Sequence, residues 1–180
     1  MSMNKETRKI IAIYAERVRE YLGVTGPITN IDQLVTIGLG GEIVEVDNID
    51  EFSVGSIAKE GSSFKIYIPK GQVETRKNFT IAHELGHLFL HMGYLSLDRA
   101  KWDAQANKLY YRQLQGASSD EEIEANEFAA AFLMPENEYL QKLQENTVGN
   151  IVRTGVIAQY FNVSVEAASS RGKWLGYLGW

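Results

Sequence analysis

FTIAHELGHLFLH, residues Phe79 to His91, holds all three histidines of a 180-residue chain within nine consecutive positions and sets a glutamate directly after the first. Residues four apart on an α-helix lie about 6 Å apart along the axis and about 40° apart around it, so His83 and His87 project from one face. H-E-x-x-H on a helix is the spacing that brings two imidazole nitrogens to one ion and leaves the intervening carboxylate beside it. Ile81, Ala82, Leu85, Leu88, Phe89 and Leu90 mark the helix as core-facing. Two imidazoles desolvated there are costly unless something occupies their nitrogens, so a metal site outweighs a plain core helix with hydrogen-bonded histidines. Glu84 is then the general base, taking a proton from the attacking water and returning it to the leaving amine. Gly86, lacking a side chain, allows a neighbouring backbone to approach closely.

His91 follows His83 by eight residues, about 12 Å further along a continuous helix, and ligands that far apart cannot share one small cation. It is expected to support the site from outside, or to be structural. The third ligand must come from elsewhere, and with no histidine left it must be acidic. The later stretch ASSDEEIEANEFAAAFLMP offers Glu121, Glu122, Glu124 and Glu127. Glu124, four residues before Phe128, lies alongside the apolar face of Ala125, Phe128, Ala129 and Phe132, and helix-face geometry selects it over Glu127.

Composition narrows the chemistry further. The net charge of −5 and pI near 5.3 give no reason to expect a long phosphate-backbone interface. The chain has no cysteine, which excludes disulfides, thiolate ligands and a thiol nucleophile, so a metal must be held by nitrogen and oxygen. The N-terminal apolar run Ile10 to Ala15 is too short for a signal-peptide core or a spanning helix, and a cytoplasmic location is expected.

The rest of the chain reads as helices around a few strands. Lys5 to Leu22 is amphipathic and stops at Gly23; Asn30 or Asp32 caps a short helix ending at Gly40 and Gly41. GEIVEV, FSVGSIAK and FKIYIP read as three strands, the last two joined by the turn Glu60-Gly61-Ser62-Ser63. A helix is expected over about Trp102 to Leu114 within an irregular segment, and Ser119 with Glu122 has the spacing of a capping box. Ile151 to Phe161 and Val165 to Leu175, with Ser164 as cap, form a helix-turn-helix-like pair. The expected class is α+β, a small twisted sheet of about three strands packed on the H-E-x-x-H helix.

RKNFTIAHELGHLFLH and EIEANEFAAAFLMP together resemble the paired signature of the ImmA/IrrE-like zinc metallopeptidases. The resemblance runs roughly from Ile28 to Leu178 and is most specific at Arg76 to His91 and Glu122 to Pro135. It implies a zincin-like core over residues 1–145 with a C-terminal helical segment, 146–180, packed on it as one compact unit. It implies Zn2+ held by His83, His87 and Glu124, with Glu84 as general base. It further implies a cytoplasmic endopeptidase, associated with mobile elements and transcription regulation, that cuts a helix-turn-helix repressor or an antitoxin encoded nearby. Gly172 stands where the family more usually has leucine, a departure that bears on the packing of the last helix and not on the active site. In zincins a strand near the active-site helix aligns an extended substrate, and FKIYIP, Phe64 to Pro69, is the candidate for such strand addition.

A second reading is a non-catalytic, metal-containing regulatory module contacting a repressor or DNA. Arg153, Arg171 and Lys173 are a thin electrostatic footprint for direct nucleic-acid binding, and Trp174 and Trp180 suit packing or partner contacts better. No feature suggests a membrane partner.

Overall fold

Asn4 opens the first helix, α1 (Lys5–Tyr21), by accepting the Thr7 N–H on its Oδ1 at 2.8 Å, and Gly23, with φ of 65°, follows its end. The computed structural model describes residues 3–47, 55–96, 99–105, 109–111 and 119–180. Asn30 caps the short helix α2 (Ile31–Gln33), which runs into a π-helical turn over Leu34–Gly38.

Strands β1 (Glu42–Val46), β2 (Ser56–Glu60), β3 (Ser63–Pro69) and the short β4 (Leu109–Tyr111) form one sheet in the order β1-β3-β2-β4. β1 runs parallel to β3, and β2 is antiparallel to both β3 and β4. Phe64, Ile66 and Ile68 are buried, and Lys65 and Tyr67 between them are less so, which is the alternation of a strand with one face on the core. β3 lies inside the sheet with β1 and β2 on its two edges. This corrects the expectation for FKIYIP: a strand whose N–H and C=O groups are paired on both sides has none left for a substrate backbone.

The helix that carries His83 and Glu84, α3 (Glu74–Gly86), continues into a π-helical turn, His87–His91, closed by Met92 N–H donating to His87 O at 2.9 Å. Its main partner is α5 (Ser119–Leu133). A Cβ built on Gly86 would stand 2.9 Å from Ala125 Cα, so the two helices touch backbone to backbone as expected for that glycine. Phe89, Phe128 and Phe132 continue the contact into the core, which α1 closes from the other side of α5.

Two buried arginines finish α5. Arg19 Nη1 donates to Phe132 O at 2.7 Å and Arg171 Nε to Met134 O at 3.1 Å, satisfying carbonyls that the helix end would leave bare. Beyond Pro135 come α6 (Glu136–Glu145), a two-stranded ribbon of β5 (Thr147–Val148) and β6 (Ile151–Val152), α7 (Thr154–Tyr160) and α8 (Val165–Trp174). Ser164 caps α8 by accepting the Ala167 N–H at 3.1 Å.

Three local expectations differ from this arrangement. Ile151, expected to start a helix, pairs in the ribbon instead. Of the helix expected over about 102–114, only its first residues are helical, within α4 (Arg99–Asp103), and Leu109–Tyr111 is β4; residues 106–108 and 112–118 lie outside the described residues. The first three residues of FSVGSIAK, and the side chain of Ser119 in the expected capping box, also lie outside them. Among the described residues no helix is long and apolar enough to cross a membrane.

Candidate metal centre

His83 near the end of α3 and His87 at the start of the π-helical turn stand one turn apart, at 1 % and 2 % exposure, with their Nε2 atoms 3.0 Å apart. Glu122, in the first turn of α5, reaches both: its Oε2 is 3.5 Å from His83 Nε2 and its Oε1 is 3.2 Å from His87 Nε2. Among the described residues these three form the one group of histidines and carboxylates with a ligand atom each within 4.8 Å of the others. Nitrogen and oxygen ligands at about 2.0–2.1 Å from a tetrahedral ion are themselves roughly 3.3 Å apart, and the cluster has that spacing.

The ring nitrogens pointing away from the cluster have partners of their own. His83 Nδ1 lies 2.9 Å from Asn126 Oδ1, an acceptor, so the proton of this imidazole sits on Nδ1 and Nε2 presents a lone pair. His87 Nδ1 lies 2.9 Å from His91 Nδ1, and His91 Nε2 lies 3.0 Å from Glu124 Oε2. Burial lowers the His91 pKa from its ordinary value; the hydrogen bond to Glu124 opposes this and the neighbouring His87 adds to it. Two buried imidazole nitrogens and a carboxylate converging at hydrogen-bond distances suit a divalent cation, and zinc is one of the ions that such a nitrogen and oxygen donor set accepts. The residues present therefore fit the metal that the H-E-x-x-H spacing calls for.

The position of Glu124 corrects the expected ligand set. Successive residues turn by about 100° on a helix, so Glu122 and Glu124 leave α5 roughly 160° apart. Glu124 emerges on the Phe128 side, where it meets His91, four residues past the H-E-x-x-H segment. Glu122 emerges on the Asn126 side, which faces His83. The signal that could have identified it was the pair Glu122 and Asn126, four apart like the two histidines opposite, so that one α5 face supplies both a carboxylate and an amide. His91 stays out of the cluster, as its axial distance demands, but touches it through His87.

Glu84 lies between the two histidines in sequence and is 1 % exposed. Gly55, just before β2, has φ of 115°, and a Cβ there would stand 2.9 Å from Glu84 Oε1 and 2.7 Å from Thr80 Cγ2. Only glycine lets the chain pass this close to the carboxylate, a constraint the sequence alone did not reveal. Tyr94, just after the π-helical turn, donates its hydroxyl to Leu39 O at 2.7 Å and is committed to the fold. Asn126 also borders a cavity of about 820 Å³ between α1, α3, α5 and α8, whose wall includes Arg8, Arg76, Phe79 and Trp174.

A Mycobacterium tuberculosis transcriptional regulator shares this fold, with a TM-score of 0.58 at 20% identity over 92% of this chain and 50% of that one. The chain thus spans about half the length of that protein. No curated protein sequence is significantly similar to it. The model of the IrrE N-terminal-like domain, Peptidase_M78, matches residues 63–173, from β3 through nearly all of α8 and across every residue of the metal cluster, and the chain belongs to that family.

Proposed function

We propose that this protein is a zinc-dependent endopeptidase of the cytoplasm that cuts a regulatory protein, a helix-turn-helix repressor or an antitoxin encoded nearby. The observation that carries the reading is the convergence of His83 Nε2, His87 Nε2 and the Glu122 carboxylate at 3.0 to 3.5 Å, with Glu84 between the two histidines on the same helix. His83, His87 and Glu122 would hold the ion, and Asn126 orients His83. Zinc bound there supplies a Lewis acid that polarises a carbonyl oxygen and eases the loss of a proton from water. Glu84 accepts that proton as the water oxygen bonds to the carbonyl carbon, then delivers it to the amide nitrogen as the C–N bond breaks. Its burial beside Gly55 fixes the carboxylate in one place, so little reorganisation is needed at the moment of transfer. The regulatory substrate rests on what the family resemblance implies.

The test is incubation with helix-turn-helix proteins encoded beside the gene, with and without chelator, and mass spectrometry of the fragments. Cleavage that chelator stops and zinc restores is the expected result. Glu84→Gln should retain stoichiometric zinc and lose cleavage, whereas His83→Ala should lose both. Full turnover by Glu84→Gln would remove the assigned base, and a zinc-loaded chain that binds but never cuts these proteins would favour the non-catalytic module.

A further inference from the structure

The two cluster histidines are oriented by different means. His83 hands its Nδ1 proton to a side-chain amide. His87 faces another imidazole, which by itself could either donate or accept. What decides between these is Glu124, the carboxylate that is not in the cluster. A carboxylate only accepts, so at 3.0 Å it takes the Nε2–H of His91, and with the single proton of an imidazole on Nε2 the ring's Nδ1 is left bare. His91 Nδ1 can then only accept from His87 Nδ1–H, 2.9 Å away, which leaves His87 Nε2 as a lone pair directed at His83 and Glu122.

We propose that Glu124 and His91 are positioning residues for the metal site, a carboxylate–imidazole pair that fixes the tautomer of His87 from two hydrogen bonds away. The inference rests on the proposed metal-binding role of the cluster. It assigns one task to each of three alternate residues of α5: Glu122 contributes a ligand atom, Asn126 sets His83 directly, and Glu124 sets His87 through His91. The π-helical turn at His87–His91 belongs to this device, because it is the segment that holds the two Nδ1 atoms 2.9 Å apart. Without Glu124, His91 is free to carry its proton on Nδ1 and donate to His87 Nδ1. The His87 proton is then driven to Nε2, where it blocks ligation.

Zinc affinity by chelator competition and imidazole ¹⁵N NMR of the metal-free chain together test this. In the unaltered chain His87 is expected as the Nδ1–H tautomer. Glu124→Ala should populate the Nε2–H form and raise the zinc Kd by about 10–100-fold, the usual effect of losing such a partner. Glu124→Gln should restore most of both, since its amide oxygen still accepts from His91 Nε2–H. Asp120→Ala, an exposed acid on the same helix, should change neither. Glu124→Ala combined with His91→Phe should weaken binding no more than the worse single change, because both break one chain. Glu124 is 34% exposed, so its replacement leaves the core intact. An unchanged Kd and unchanged His87 signals in Glu124→Ala would overturn the proposal. If instead the unaltered chain took up no zinc, the metallopeptidase reading would fall, and the His87 tautomer in the metal-free chain would still decide whether Glu124 sets it.

Discussion

A side chain's role at this site follows from which face of its helix it leaves and what waits there. His83 and His87 were legible from the sequence because their pairing depends only on the pitch of one helix. The third ligand was not, because it depends on how a second helix, more than thirty residues on, crosses the first. Its apolar face pointed to Glu124, yet the crossing at Gly86 and Ala125 turns Glu122 toward the histidines and carries Glu124 to His91. The two glutamates should therefore behave differently. Glu122→Ala is expected to abolish stoichiometric zinc in the isolated protein, measured by elemental analysis after gel filtration, while Glu124→Ala retains it at saturating metal. Equal loss in both would contradict the assignment.

Elements here are held by close approach as much as by apolar area. Gly86 and Gly172 each occupy a place where a Cβ would collide. At Gly172 it would stand 2.5 Å from Tyr139 Oη and 2.6 Å from Leu178 Cδ1. Tyr139 Oη donates to Ala168 O at 2.7 Å, and Gly172 O accepts from both Tyr177 and Leu178, so the chain end folds back over α8 at this glycine. A leucine here has no room in this packing. Gly86→Ala and Gly172→Leu should each destabilise by about 1–3 kcal/mol, the range for overpacking, read from urea unfolding midpoints. Gly86→Ala should in addition weaken zinc binding, because it pushes Glu122 away from the histidines, and Gly172→Leu should not. The strands were legible as strands from their alternation, but their order was not: sequence neighbours β2 and β3 pair as a hairpin, and β1 then takes the other edge of β3 from a distance. That pairing is settled by tertiary contacts and leaves β3 no free edge for a substrate backbone.

At the scale of the whole molecule, Glu127 joins the N-terminal helix, the α5 helix and the last helix. Its Oε2 accepts from Arg8 Nη1 at 2.8 Å and its Oε1 from Arg171 Nη1 at 2.9 Å, with Glu127 and Arg171 both nearly fully buried. Arg8 also lies 3.9 Å over the Trp174 ring. Removing one member of a buried ion pair leaves the other charged without compensation, so Glu127→Ala should cost about 3–5 kcal/mol in unfolding free energy. The same substitution should leave zinc affinity nearly unchanged in the fraction that folds, since Glu127 touches none of the cluster. The fold thus separates what holds its ends together from what would hold the ion. The most direct measurement of the central claim is the anomalous signal at the zinc edge from crystals grown with zinc. A single peak about 2.0–2.1 Å from His83 Nε2, His87 Nε2 and a Glu122 oxygen is the expected result. An absent peak, or an ion ligated by Glu124 with Glu122 turned away, would contradict it.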